Sequence, residues 1–397
     1  KRTPSGDRIQ PTDRKQRNEY HTEVPAGLEL EHGDLVLAEP IPSRRFGPES
    51  ARIVRRLGTW DDTDAVSLIA IAAHGIPTRF PDGALTEAEA AAPVETLEKR
   101  TDLRSIPLVT IDGADARDYD DAVFAEPTKE HHSAWHAIVA IADVTHYVRP
   151  GGELDRAAYR RGNSVYFPDR VVPMLPERLS NDLCSLLPGE DRACMAVHLW
   201  IGNDGTLQHW KFVRGLMHSA ARLIYEEVQA HRDGEASEKT AALPDGLIDN
   251  LYGVYAALRQ ARVERGALDI ERPERQVEMG DDGRIARIFL RDRHDSHKMI
   301  EELMIAANVA AARQLEDKNM PVMYRVHDQP SAEKAENLRE YLQSLGLSLR
   351  KGSQLRPIDF AQILKRVKET EHKDAVNESV LRSQSQAEYG PHNLGHF

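Results

Sequence analysis

Cysteine is nearly absent: the 397 residues hold only Cys184 and Cys194, with no C-x-x-C that a histidine pair could partner at zinc-finger spacing. That argues against a zinc module and suits two inert thiols in a reducing cytoplasm. Long hydrophobic runs are missing too. The longest candidate, AVSLIAIAAHG, falls well short of the roughly 18 to 20 apolar residues a membrane-spanning helix needs. Nor is there an excess of positive charge. The 52 Lys and Arg against 64 Asp and Glu leave a formal net charge of -12, unsuited to a protein that coats nucleic acid or anionic membrane indiscriminately, though a locally basic channel remains open to it. The templates G-x-x-x-x-G-K-[ST], G-x-G-x-x-G and G-x-S-x-G do not occur, so neither a nucleotide-cradling loop nor a nucleophile elbow is indicated. No secretory pattern follows Lys1, and the sequence reads as a piece of a longer chain.

What is present is length enough for two or three domains with a sizeable core. Residues 1–58 are basic and turn-rich, and the runs DLVLAEPI and ARIVRRLG, separated by PSRRFGPES, predict strands of a small β module. Residues 59–100 predict a helical linker. Within it DAVSLIAIAAHGIPTRF reads as a helix ending at Gly75 and Pro77, and TEAEAAAPVETLEKR as a second, acidic one. The large region 101–397 opens with PLVTI and AVFAE as strand candidates. WHAIVAIADVTHYV is a third, with a bend expected at the Ala142–Asp143 step. A short helix over ELDRAAYRRG, a proline-rich loop YFPDRVVPMLPERLS and a strand CMAVHLWI before the turn GNDG follow. SHKMIEELMIAANVAAARQLEDK is the clearest helix, with Ile300, Leu303, Met304 and Ala307 at helical spacing. SAEKAENLREYLQSLG and FAQILKRVKE predict two more.

The densest chemistry lies in TIDGADARDYDDAVF, which gathers Asp112, Asp115, Asp118, Asp120 and Asp121 between two strand candidates. Carboxylates that converge on one small volume raise each other's pKa unless a cation neutralises them. Hydrolysis of a phosphodiester usually calls on divalent ions, and Mg²⁺ prefers carboxylate oxygens and retained waters. A solvated acidic turn or a calcium loop is the alternative. An EF-hand is disfavoured, because no Gly stands at its sixth position and no Glu at its twelfth.

Three further groupings qualify as candidates. AYRRGNSVYFPDR interleaves Tyr159, Tyr166 and Phe167 with Arg160, Arg161 and Arg170, a mixture that suits single-stranded nucleic acid, since bases stack on aromatic faces and arginines meet phosphates; ordinary packing with surface charge reads the same way. On the long helix, Glu301 and Asn308 share a face with Met304 and Ile305 and so need partners, whereas Glu302, about 100° further round, is expected to be solvated. His131, His132 and His136 in HHSAWH have metal-compatible spacing, but with no acidic company expected they read as a surface turn.

Six segments in order, TIDGADARDYDDAVF, VAIADVTHYV, PMLPERLSNDLCSLLPGEDR, HKMIEELMIAANVAAA, YRVHDQP and VLRSQSQAEYGPHNLGHF, resemble the ribonuclease II and ribonuclease R family across about residues 101 to 397, closer to the R type. PTDRKQRNEYH through GDLVLAEPIPSRRFGPESARIVRRLG is similar to the cold-shock-like OB module that precedes the catalytic domain in that subgroup. The resemblance implies an α+β fold: a mixed sheet with surrounding helices, preceded by a small β-barrel OB module. It implies a processive 3′-to-5′ exoribonuclease acting on single-stranded RNA, with Mg²⁺ as cofactor and 5′-mononucleotides as products. By position, Asp112, Asp118, Asp120 and Asp121 match the catalytic aspartates, with Asp112, Asp118 and Asp121 as metal ligands. Glu301, or Glu302 if the alignment slips by one, matches the cavity glutamate. Tyr166 and Tyr225 match RNA-contacting tyrosines, Asp115 matches no catalytic position, and Ile270 stands where some members carry a clamp phenylalanine. The family's phosphate-contacting arginine segment and S1 domain are expected beyond Phe397. Two rivals stand beside this: an RNA-binding scaffold without turnover, and a small-molecule phosphotransferase built on a D-x-D nucleophile.

Overall fold

The computed structural model describes residues 2–3, 6–13, 15–16, 18–42, 49–270, 274–350 and 355–397. The chain divides into two compact units: Lys1–Ala90 with Val148–Pro176 and Arg275–Phe289, and Ala91–Tyr147 with Glu177–Glu274 and Leu290–Phe397.

In the first unit, Arg2–Thr3, Gly6–Ile9, Tyr20–His21, Asp34–Ile41 and Ser50–Thr59 form one five-stranded sheet. The two runs picked out in the sequence pair with each other antiparallel, and Ala51 and Ile53 turn inward between exposed Arg52 and Val54, the two-residue period of a half-buried strand. Most of the loop predicted between them, residues 43–48, lies outside the described residues. The helix Ala65–Ala73 stops before Gly75 as expected. The next one differs from expectation: it covers Asp82–Glu89, and residues 91–100 are not helical. Pro93 accounts for this, since it has no amide to donate and pushes Ala92 out of the α region. The helix Glu153–Arg161 forms where predicted, and the Glu87 carboxylate accepts the otherwise unpaired amides of Glu153 (2.7 Å) and Leu154 (2.9 Å) at its start.

In the second unit five strands follow one another around a closed circuit: β1 (Leu108–Asp112), β2 (Asp121–Pro127), β3 (Trp135–Ala142), β4 (Asp191–Ile201) and β5 (Leu207–Ile224). Each antiparallel step reverses direction, so the fifth strand meets the first parallel. Length makes this closure feasible. The early part of β5 pairs with β4 as far as His218, and Ser219 to Ile224 pair with β1. Side chains are buried on both faces, Leu108, Ala122 and Ile138 on one and Val109, Val123 and Val139 on the other, which is why these strands read as nearly unbroken apolar runs.

The second of those faces packs on helices. These are α1 (Tyr225–Arg232), α2 (Leu247–Arg265) and α3 (Asp295–Asp317), which contribute Val228, Leu251, Val254, Leu258, Met299, Leu303 and Ala310 to one core. Gly253 lets α2 lie close against β3, because a Cβ there would overlap the Trp135 ring. The expected bend after β3 is a strand end: buried Asp143 pairs with Arg100 (2.8 Å), accepts from the Thr145 hydroxyl (2.7 Å), and the chain turns into a short helix, Val144–Tyr147. Three C-terminal helices, α4 (Ala332–Ser344), α5 (Pro357–Val367) and α6 (Lys373–Ser383), enclose Phe360, and Ile270 packs against the same cluster. Glu271–Pro273, the rest of the suggested clamp stretch, lie outside the described residues.

Candidate active site

The acidic segment spans the turn from β1 to β2, with Asp112 ending one strand and Asp121 beginning the next. Asp112 accepts the Gly113 amide (2.7 Å), and Ala116 N–H closes a turn onto the Gly113 carbonyl (3.1 Å). Tyr119 anchors the middle. Its ring is buried, its hydroxyl donates to the Ala116 carbonyl (2.8 Å), its amide donates to Ser185 Oγ (3.0 Å), and its carbonyl accepts from Leu186 (2.8 Å). The Ala142 amide holds the Asp120 carbonyl (2.9 Å). Arg222, on β5, lies over the Tyr119 ring at 4.6 Å and donates to the carbonyls of Ala114 and Ala116. A loop with this many like charges is thus fixed by its backbone and by its one aromatic residue.

Burial decides the electrostatics. It raises the Asp112 carboxyl above its usual range, with Asp118 and Asp115 adding to the effect and the Gly113 amide and Arg291 opposing it. Asp120 is pushed up to about 6 by burial, then by Asp118 and Asp112. Asp121 reaches about 7 by burial, then by Asp112 and Asp120. These cross-influences bring Asp112, Asp115, Asp118, Asp120 and Asp121 into one electrostatic cluster. Asp121 Oδ2 is buried and has no hydrogen-bond partner among the described residues. Among those residues no three His, Cys, Asp or Glu groups form a ready-made ligand set. The case for a cation rests instead on the donor chemistry, oxygen-only and carboxylate-rich as a hard divalent ion prefers, and on that orphaned oxygen.

The closure of β5 on β1 brings Tyr225 to this cluster. Ile224 pairs with Asp112, and the next residue opens α1. The Tyr225 hydroxyl is raised to about 12 by burial and then by Asp112 and Asp121. Its ring stacks on His297 at 3.9 Å, and its carbonyl accepts from Ser296 Oγ (2.8 Å). His297 is lowered to about 4, mainly by burial and then by Arg291. The residues just before α3 therefore reach the acidic loop, and Arg291, Arg222 and His297 join a site in which sequence reasoning did not include them. The only sequence signal was the cationic stretch RDRHDSHK ahead of a strong helix.

Of the two glutamates of α3, Glu301 has the partners expected of it, whereas Glu302 departs from expectation. Glu302 is not solvated: it is 4% exposed and pairs with Arg262 of α2 at 2.7 Å. Glu301 is the more exposed, at 41% of its side chain, and pairs with Arg293 and, at 3.8 Å, with Arg262. The buried face of α3 runs through Met299, Glu302, Leu303, Ala306 and Ala310, so the face shared by Glu301, Ile305 and Asn308 is the more exposed one, and the arginine that meets Glu302 comes from another helix. HHSAWH also departs from expectation. His131 and His132 do occupy a 3-10 turn with positive φ. His136, however, lies on β3 directly opposite Glu126, which it meets at 2.9 Å, and its other ring nitrogen contacts His198 Nδ1 at 3.0 Å.

Tyr166 lies in the first unit, on a two-residue strand paired with Val171–Val172, and is 64% exposed; Tyr159 is 89% exposed. Not all the neighbouring arginines are available for phosphates. Arg161 stacks on Phe80 (3.7 Å) and donates to the carbonyls of Pro77 and Pro173, while Arg170 pairs with Asp169 and Asp64.

A closed sheet with its acidic turn at the β1–β2 junction places this chain in a definite class. It belongs to the RNB domain family, whose model matches residues 100–397. The chain is 42% identical over 361 residues to ribonuclease R of Escherichia coli (strain K12), covering 90% of this chain and 44% of that one. It spans about half the length of the curated relatives it matches. Among solved structures, Mycoplasma genitalium RNase R in complex with ribose methylated single-stranded RNA superposes with a TM-score of 0.87 at 22% identity, over 99% of this chain and 64% of that one. Yeast Ssd1, a pseudonuclease, gives 0.72 at 15% identity, over 96% and 48%. At such identities these two show the fold.

Proposed function

We propose that the protein is a 3′-to-5′ exoribonuclease of the ribonuclease R type, hydrolysing single-stranded RNA processively to 5′-mononucleotides in the cytoplasm. The observation that carries this is the aspartate set, Asp112, Asp118, Asp120 and Asp121, on one turn beside Tyr225, in a chain 42% identical to ribonuclease R. Asp112, Asp118 and Asp121 would hold Mg²⁺, which supplies water activation and shielding of the phosphate charge. Asp120, with its carboxyl raised to about 6, is matched to accept a proton from the attacking water near neutral pH. Tyr225 positions the terminal nucleotide against the aspartates, and Glu301 contributes from α3. Tyr166 offers an exposed ring on which a base can stack. The five-stranded sheet at the N-terminus acts as a cold-shock-like OB module that guides RNA.

The same fold carried by a pseudonuclease raises the alternative of an RNA-binding scaffold, but four intact aspartates favour turnover. The deciding assay follows 5′-labelled single-stranded RNA by gel and product chromatography. Mononucleotide release that stops with Asp120→Asn and with chelator, and returns with Mg²⁺, supports the proposal. Binding without products would overturn it in favour of the scaffold.

A further inference from the structure

Of the cations around the acidic loop, Arg117 sits within it on an exposed stretch, and three others already have partners. Arg222 is spent on two backbone carbonyls and the Tyr119 ring, Arg293 on Glu301, and Arg262 on Glu302. Arg291 differs. It faces Asp112, Tyr225 and His297, whose protonation it influences, yet its guanidinium makes no ion pair or hydrogen bond among the described residues. Only its backbone is tied, by a bond from its amide to the Glu274 carbonyl (2.8 Å). The guanidinium lies against the loop at Gly113, within ordinary contact distance of where a Cβ would stand. A Cβ there would stand 3.6 Å from Arg291 Nη2 and 2.9 Å from Asp115 Oδ1. A planar, permanently charged fork at the rim of a carboxylate cluster is an awkward neighbour for a cation but a suitable one for a phosphate oxygen.

We infer that Arg291 contacts a phosphate of the RNA backbone at the terminal linkage, and that it is a further substrate-contacting residue of this site, distinct from the arginine the family resemblance puts beyond Phe397. Carboxylates gathered to bind metal also repel the polyanion they are to cleave. A guanidinium near Asp112, unpaired among the described residues, offsets that repulsion and, on meeting a phosphate, orients it relative to the turn. This rests on the exoribonuclease reading and adds to it a residue and the atom it recognises.

The test is a chemical double-mutant cycle on the full protein, read by equilibrium binding in chelator, where nothing is cleaved. One ligand is a short single-stranded RNA; the other is the same RNA with an uncharged methylphosphonate at its 3′-terminal linkage. Arg291→Ala should weaken binding of the first roughly tenfold, the range of a charge-assisted hydrogen bond, and of the second hardly at all. Arg291→Lys should restore part of the loss, and melting curves of both variants should match wild type. Equal losses with both ligands, or none with either, would overturn the assignment. A wild type that binds neither RNA would instead remove the exoribonuclease reading beneath it.

Discussion

Replacing Asp121 with asparagine removes a carboxyl that burial and two neighbouring aspartates hold at a pKa of about 7. In the unfolded chain the same group titrates near 4. Between those values the folded protein binds more protons than the unfolded one, so stability falls as pH rises through the window from about 4 to about 7, and the full cost is present above it. A shift of about three units corresponds to about 4 kcal/mol, of which about 3 kcal/mol develops between pH 5 and pH 8. At about 2 °C per kcal/mol for a unit of this size, wild-type protein in chelator should lose about 6 °C more in melting temperature across that interval than Asp121→Asn. Magnesium chloride at pH 8 should reverse the order by raising the wild type more than the variant, because the carboxylate then has a cation to hold. The assay is a pH series of thermal melts. A gap between the two proteins that does not widen from pH 5 to pH 8 would refute burial as the cause of the raised pKa.

The paired glutamates of α3 separate stability from turnover. Glu302→Ala leaves Arg262 without its buried partner and should cost about 2 to 3 kcal/mol in denaturant unfolding, whereas Glu301→Ala should stay within about 1 kcal/mol and instead slow RNA hydrolysis. Arg222→Ala frees the carbonyls of Ala114 and Ala116, so amide hydrogen exchange over residues 113–120 should accelerate while the rest of the barrel keeps its protection. Tyr166→Ala should weaken RNA binding by about 1 to 3 kcal/mol, with Tyr166→Phe close to wild type and both melting normally. Gly253→Ala forces α2 away from Trp135 and should lower stability by about 1 to 3 kcal/mol, detectable by the same melts.

Much of the barrel was legible. The strands β1 to β4 and the helix α3 carry apolar patterns strong enough to be read from sequence, and the acidic turn was bracketed correctly by its flanking strands. β5 was not anticipated, because its first half, QHWKFVR, mixes polar and aromatic residues, and it serves two different partners. Nor was α2, although its apolar residues Leu247, Ile248, Leu251, Tyr252, Val254, Tyr255 and Leu258 recur at helical spacing within an arc of about 160°, a signal that was present in the sequence. Within the site, residues adjacent in sequence could be grouped and those brought in by tertiary contact could not. Arg222 and Arg291 reach the loop from β5 and from the approach to α3, and Glu302 finds Arg262 across two helices. His136 finds Glu126 through strand register, which no local pattern records.

The parallel closure of β5 on β1 also bears on the order in which the molecule comes together. β4 and β5 are joined by a tight turn and can pair locally, but Asp112 and Ile224 are separated by more than a hundred residues. Their pairing carries the largest loop-closure entropy in the circuit and belongs among the late events of folding. Tyr225 reaches the aspartates only when that seam shuts. A nascent or partly unfolded chain therefore exposes an acidic turn without its tyrosine, and the site is assembled only with completion of the barrel. This ties assembly of the site to the integrity of the fold itself.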